Sequence, residues 1–444
     1  MEAGKLFLFF SLLMLQFSFC TSQDSIKTNQ TIKDGDLLIS KGNTFALGFF
    51  SPGSSSYRYL GIWFHRVPGK TVVWVANRNH PIIGSSGFLS INQYGNLVLF
   101  GNSDQEVPVW STNVSMEVAD DCVAELLDSG NLVLVQNGSK RVVWQSFDYP
   151  TNVLLPGMKI GLNLKTGFER SLTSWRSADD PGIGDVSARV NPNGSPQLFL
   201  YKGTKPSCRT PLWPWRGHGN RQRSLYNMSI VNDQDEKYCI YNIPDDSLVL
   251  IIMVEYSGIV KKLTWHESES SDGQWKEFRR NPQYRCDFYG WCGPNSICQP
   301  TDVNRFECAC LPGFEPKYPR DWFLRDGSGG CVRKLLESSS VCEHGEGFVK
   351  VENLILPDTS AAVWVDMSMS RADCELECKT NCSCSAYASI EIPGQGDGCL
   401  TWYGELLDLK YDLTENYDLF VRVDAHELGT VFLLSDKSNR IILC

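Results

Sequence analysis

The chain has 444 residues, 42% hydrophobic and 21% charged, a globular balance that excludes disordered, collagen-like and coiled-coil classes; at roughly 100 to 200 residues per domain it predicts three or four domains. Its 41 Lys and Arg against 51 Asp and Glu give a formal charge of −10, which offers phosphate backbones no electrostatic footing and argues against a nucleic-acid partner. Thirteen Trp, 37 Gly and 21 Pro suit short strands joined by tight turns, so the expected class is mainly β.

Lys5 precedes an almost continuously apolar stretch from Leu6 to Phe19, and Cys20, Thr21 and Ser22 are small enough for cleavage before Gln23. The pattern predicts a signal peptide over residues 1–22 and a secreted chain; an apolar run of about 14 residues is shorter than the about 20 that a spanning helix needs. Twelve of the 17 cysteines lie between Cys286 and Cys399, and in an oxidising compartment such density predicts disulfides rather than zinc. Sequons at Asn29, Asn113, Asn137, Asn193, Asn227 and Asn381 are the expected glycosylation sites.

From Thr44 to Phe147 the sequence repeats about every 35 residues: Val72-Val73-Trp74, Val109-Trp110 and Val142-Val143-Trp144 alternate with Gly95-Asn96-Leu97-Val98-Leu99 and Gly130-Asn131-Leu132-Val133-Leu134. Each unit reads as a small sheet that buries its Trp against its copies, and three such sheets close a prism. With Ala76-Asn77-Arg78-Asn79 and Trp144-Gln145-Ser146-Phe147-Asp148-Tyr149-Pro150-Thr151, these residues resemble a bulb-type, mannose-binding lectin domain, expected over 23–152. That family writes a sugar pocket as Gln-x-Asp-x-Asn-x-Val-x-Tyr. Here the corresponding residues are Asn92, Tyr94, Asn96, Val98 and Phe100, and then Leu127, Ser129, Asn131, Val133 and Val135. Asn and Val survive and the carboxylate does not, which leaves too few polar groups to hold a sugar against water. Asn96 and Asn131 read instead as turn residues ahead of core strands, and carbohydrate binding is not expected.

From Leu154 to about Tyr284, Ser174-Trp175-Arg176-Ser177-Ala178-Asp179-Asp180-Pro181, Gly184-Asp185 and the runs Gln197 to Tyr201 and Leu248 to Trp265 resemble the S-locus glycoprotein domain, expected over 153–284. The resemblance implies a second, degenerate lectin-like prism. Between Trp213 and Tyr226 the chain departs from the family's wording and is basic, with Arg216, His218, Arg221 and Arg223; it reads as a solvated loop. Asp179, Asp180 and Asp185 could formally serve a glycosidase, but their spacing around Pro181 and Gly184 fits turn chemistry better.

Cys286, Cys292, Cys298, Cys308, Cys310 and Cys331, with Cys308-Ala309-Cys310-Leu311-Pro312-Gly313-Phe314, are similar to an EGF-like module, expected over 285–332. Six cysteines alone allow fifteen connectivities. The resemblance implies Cys286 with Cys298, Cys292 with Cys308 and Cys310 with Cys331. The segment Asn281 to Arg285 holds no carboxylate, so no calcium site is expected. Ser370-Arg371-Ala372-Asp373 has capping-box form and opens a short helix that stacks Cys374 over Cys378. With Cys382, Cys384 and Cys399 this looks like a PAN/apple domain, expected over 342–424, an α+β unit in which the resemblance implies Cys374 with Cys399 and Cys378 with Cys384. Cys342 and Cys382 are left as a third pair. Of the remaining cysteines, Cys208 and Cys239 share one expected domain and are expected to bridge, Cys122 to be a buried thiol, and Cys444 to be exposed and able to join two chains as a homodimer.

This order of modules resembles the extracellular half of plant S-domain receptor-like kinases and the whole of the secreted S-locus glycoproteins. Residues 425–444 offer only Val431-Phe432-Leu433-Leu434 and Ile441-Ile442-Leu443 as apolar runs, too short to span a bilayer, so the expected location is extracellular, in the apoplast or cell wall, or at the cell surface for a shortened receptor. No kinase phosphate loop, His-Arg-Asp or Asp-Phe-Gly triplet and no His-Glu-x-x-His occurs. The expectation is a non-catalytic recognition protein without cofactor or metal, which binds a peptide or protein ligand or pairs with a membrane receptor kinase of its family. The family implies pollen recognition in self-incompatibility or defence signalling; a soluble mannose-binding lectin is the alternative.

Overall fold

The computed structural model describes residues 23–104, 106–115, 122–212, 225–245, 247–268, 271–299, 306–334, 345–392, 396–412 and 417–429. The expected signal peptide, residues 213–224 of the basic loop, Cys342 and Cys444 lie outside them. Contacts divide the chain into two units: one runs to Asp148 and includes Ala178–Gly182, and the other holds Tyr149–Ser177 and everything from Ile183 onward.

In the first unit the β-branched and aromatic runs become strands of three antiparallel sheets. Ser25–Lys27, Cys122–Leu126, Leu132–Gln136 and Arg141–Gln145 form one. Thr31–Lys33, Phe88–Ile91, Leu97–Phe100 and Trp110–Ser111 form the next. The third contains Leu37–Ile39, Phe45–Phe50, Tyr57–Phe64 and Val72–Val75, with Ile82–Ile83 paired to its longest strand. Each sheet places one Trp on a terminal strand, and the three rings meet edge to face: Trp74 and Trp110 at 5.8 Å, Trp74 and Trp144 at 6.0 Å, Trp110 and Trp144 at 5.6 Å. Such pairs contribute about 0.5–1.5 kcal/mol each beyond the area they bury. Two positions admit only glycine: a Cβ on Gly61 would lie 2.6 Å from the Phe50 ring, and one on Gly48 would lie 2.7 Å from Leu37 and 3.0 Å from Trp63.

The second unit begins with three four-stranded sheets. Val153–Leu154, Leu250–Val254, Val260–Ser268 and Ser271–Asn281 form one, and Glu169–Arg170, Ile160–Asn163, Glu236–Asn242 and Asn227–Asn232 another. The third contains Leu172–Ser177, Asp180–Asn191, Gln197–Lys202 and Lys205–Arg209. Here Trp265 and Trp275 pair across a single hairpin at 5.5 Å. The tie between sheets is polar: the fully buried Tyr241 places its hydroxyl 3.0 Å from both the Leu154 and the Leu250 carbonyl.

The expected Cys208–Cys239 bridge is not formed. Cys208 faces Leu200 in one sheet, Cys239 faces Ile160 and Ile230 in another, and both are buried thiols. Membership of one region does not put two cysteines on facing strands. Burial pushes each thiol up to about 12, so neither carries thiolate character. Cys122 is a fully buried thiol.

The C-terminal part is stapled by Cys286–Cys298, Cys292–Cys308, Cys310–Cys331, Cys374–Cys399 and Cys378–Cys384, the pairings that the resemblance implied. Cys382 is disulfide-bonded; its expected partner Cys342 lies outside the described residues. The six-cysteine segment and the region after it share one eight-stranded sheet. Its order is Cys308–Cys310, Ser296–Cys298, Leu409–Tyr411, Gly347–Ile355, Tyr417–Val423, Cys384–Ile392, Gly396–Tyr403 and Ala362–Asp366. The joint is parallel, with Ile297 beside Leu409, and Ile297, Leu311 and Phe314 enter the same core as Leu354, Trp402 and Leu419. Ser370 caps the helix Arg371–Thr380: its Oγ accepts the Asp373 N–H, while the Asp373 carboxylate accepts the Ser370 hydroxyl rather than the backbone N–H of a full capping box. Its other end is held by Arg422, 1% exposed, which donates to the carbonyls of Cys378, Lys379, Asn381 and Cys384. A cation among the carbonyls of a helix C-terminus satisfies orphan acceptors and complements the helix dipole.

Candidate functional site

The two positions where the sequence suggested vestigial sugar pockets are hairpin turns of the first unit. At the first, Asn92 Oδ1 accepts the N–H groups of Tyr94 and Asn96, both at 3.0 Å, while Gly95 takes the positive φ that the turn requires. Asn96 Oδ1 accepts the Thr112 hydroxyl at 2.9 Å and the Val114 N–H at 2.6 Å, and its Nδ2 donates to the Val114 carbonyl at 3.0 Å. The second turn repeats this knot. Asn131 Oδ1 accepts the Ser146 hydroxyl at 3.1 Å and the Phe147 N–H at 3.2 Å, and its Nδ2 donates to Gln145 Oε1 at 2.9 Å. In both, the hydroxyl also accepts the N–H of the next leucine, Leu97 or Leu132. Val98 and Val133 are buried at 2% and 5% exposure, whereas Tyr94, standing where the family has its carboxylate, is 64% exposed. The acceptor capacity of both carboxamides is spent inside the domain.

A third asparagine, Asn77 of the Ala76–Asn79 run, also ties a strand end of the first unit. Asn77 Oδ1 accepts the Leu60 N–H at 2.8 Å, and its Nδ2 donates to the His80 carbonyl at 2.9 Å. The step of two from Trp to hydroxyl, Trp110 to Thr112 and Trp144 to Ser146, marks the strand ends that the first two knots tie; after Trp74 the corresponding residue is Ala76, so this signal does not reach Asn77.

Of the candidate carboxylates, Asp180 Oδ1 accepts the Gly182 N–H at 2.8 Å, a turn arrangement. Arg78, from the Ala76–Asn79 run, donates from Nε to the Pro181 carbonyl at 2.7 Å; burial lowers its guanidinium to about 10 against the pull of Asp180. The sequon residues Asn29, Asn113, Asn193, Asn227 and Asn381 are exposed, and Asn137 is half-buried. Among the described residues no group of His, Cys, Asp or Glu is placed to hold a metal ion, and no helix is long and apolar enough to cross a membrane. Arg216, His218, Arg221 and Arg223 lie outside the described residues.

Family models match three stretches: a D-mannose binding lectin domain at residues 71–176, an S-locus glycoprotein domain at 214–318 and a PAN-like domain at 342–409. The G-type lectin S-receptor-like serine/threonine-protein kinase RKS1 of Arabidopsis thaliana is 43% identical over 420 residues, 93% of this chain and 50% of that protein. The chain thus spans half the length of that kinase. The S-locus-specific glycoprotein S6 of Brassica oleracea is 37% identical over 442 residues, covering 95% of this chain and 96% of the glycoprotein. A putative inactive G-type lectin S-receptor-like kinase, SRK, of Arabidopsis thaliana is 36% identical over 431 residues, 95% of this chain and 76% of its own length. Sheets, disulfides and these matches agree: the chain belongs to the family of S-locus glycoproteins and G-type lectin S-receptor-like kinases.

Proposed function

We propose that this chain is a non-catalytic, extracellular recognition protein that binds a peptide or protein ligand, or pairs with a membrane receptor kinase of its own family. The observation that carries the reading is its match to the S6 glycoprotein, which runs through nearly the whole of both chains. The first unit is the scaffold of a lectin whose pocket residues have turned inward. With Asn96 and Asn131 committed to their own strands, and Tyr94 and Ser129 in place of carboxylates, affinity for mannose is expected to be weaker than about 1 mM, or roughly 4 kcal/mol. Roles in pollen recognition or defence follow from the family and not from a residue of this chain. The test has two arms on the full secreted chain. Surface cross-linking in plant tissue, with mass spectrometry of the captured species, should return a receptor-like kinase ectodomain or a peptide reproducibly and in competition with unlabelled protein. Calorimetry with mannose should show no binding below 1 mM. Sub-millimolar binding lost on Asn96→Ala or Asn131→Ala would instead establish a carbohydrate-binding lectin.

A further inference from the structure

A cluster of buried charge lies where three segments of the second unit meet, and nothing in the proposed recognition uses it. Arg209, at the end of the strand Lys205–Arg209, is 8% exposed. Its Nε lies 2.7 Å from Asp408 Oδ2, and another of its nitrogens donates to the carbonyls of Leu356 at 2.8 Å and Asp408 at 2.6 Å. Asp408 Oδ1 in turn accepts the Gly290 N–H at 2.7 Å. Next to it the Tyr289 hydroxyl donates to Asp358 Oδ2 at 2.5 Å, and Lys410 pairs with Asp287 at 2.8 Å. The S-locus hairpins, the six-cysteine segment and the C-terminal sheet each supply part of one network.

A second contact fixes the same junction from the side. The Thr359 hydroxyl lies 2.7 Å from both the Ser195 carbonyl and Gln197 Oε1, and the Thr359 N–H donates to that same Gln197 oxygen at 3.1 Å. The approach is close enough that a Cβ on Gly194 would stand 1.8 Å from the Thr359 carbonyl oxygen. Asn191 adds a bond to Ser360 Oγ at 2.7 Å. Around these polar groups, Leu212 of the S-locus segment enters the apolar core formed by the other two segments.

We propose that this junction is a coupling latch: the strand Lys205–Arg209, the strand Ser296–Cys298 and the strand Leu409–Tyr411 open together or not at all. The physical ground is that Arg209 and Asp408 are each other's compensation. Separating the segments leaves both charges unpaired in a poorly solvated site, so partial opening is as unfavourable as full opening.

Amide hydrogen exchange on the full chain tests this without knowledge of the ligand. Arg209→Met should speed exchange by about tenfold or more in all three strands, while Leu97–Phe100 of the first unit stays unchanged. Thr359→Val, which keeps the side-chain shape, should move the same strands in the same direction by less. Acceleration confined to Lys205–Arg209, or no change in any strand, overturns the latch. Should Arg209→Met fail to fold, Thr359→Val decides by the same criterion. In calorimetry of the wild type, two resolved transitions within the second unit would also overturn it.

Discussion

The first unit and the leading part of the second each contain three small antiparallel sheets, yet they are held by different means. The first joins its sheets through three Trp rings meeting edge to face, with an Asn knot at each strand end. The second ties two of its sheets through the Tyr241 hydroxyl and the Lys262–Tyr226 bond and holds the end of the third against chain from further on. A repeat that closes on itself is self-sufficient. A region tied to the chain that follows it depends on its neighbours, and its stability becomes theirs.

The strongest way to break this contrast is Trp144→Ala. Truncating a buried Trp costs about 3–5 kcal/mol, so the transition of the first unit should fall steeply in calorimetry while that of the second stays in place. The matching change in the second region, Trp265→Ala, should cost no more than about 1.5 kcal/mol, because that ring is half-buried on one hairpin. Equal effects would refute the distinction.

Removing Cys374–Cys399 with a pair of alanines opens a loop of 25 residues and should cost about 3 kcal/mol, paid by the second unit alone. Thermal scans at fixed redox conditions read the outcome. The shared sheet, and the Arg209–Asp408 contact that joins it to the strand Lys205–Arg209, imply that the loss destabilises the six-cysteine segment and those strands as well. A scan in which those strands melt at the wild-type temperature contradicts that.

Smaller effects sharpen the comparison. Tyr241→Phe removes the one hydroxyl proton shared between two buried carbonyls and should cost about 1–2 kcal/mol in the second unit, and Asn131→Ala a similar amount in the first. The acid limb of the second unit should carry a contribution from Asp287. Burial resists ionisation of this carboxyl, but the Lys410 ammonium and the Tyr284 and Gln283 N–H groups outweigh it and hold its folded pKa below the usual 3.8. Its stabilisation is therefore present above pH 3.8 and is lost as pH falls through the folded value. Lys410→Met should flatten the pH dependence of the second unit's midpoint in that window, and an unchanged slope would remove Asp287 from the account. Least perturbing of all, iodoacetamide at neutral pH should leave Cys208 and Cys239 unmodified until the chain unfolds, because burial keeps both thiols protonated.

How far the fold could be read from the sequence follows from how local each determinant is. The Val-Val-Trp and Gly-Asn-Leu-Val-Leu runs announce strands and turns within a few residues, and they occupy Val72–Val75, Leu97–Phe100, Leu132–Gln136 and Arg141–Gln145. The Ser370 cap and the stacked Cys374 and Cys378 are equally local. Arg209 with Asp408 is not, since nothing in either neighbourhood says that residues 199 positions apart will meet. Arg422 is similar: an arginine in a strand looks solvent-facing until the helix end it serves is in place. The Cys208–Cys239 expectation failed because sequence proximity cannot tell facing strands from strands in different sheets. For the sugar-pocket positions, the residue types showed the missing carboxylate, while the inward turn of Asn96 and Asn131 needed their partners sixteen and fifteen residues on.

One pairing in the first unit also governs how the chain is made. Ser25 faces Glu125, so the first described strand waits for a partner 100 residues downstream. At about 5–20 residues per second, synthesis leaves that strand without its neighbour for roughly 5–20 s, and the sheet that holds it cannot close before Arg141–Gln145 has emerged. Long-range closure of this kind is slow and leaves strand edges open meanwhile. A single early cut near the start of the domain would take away that edge strand and leave Cys122–Leu126 as a new open edge.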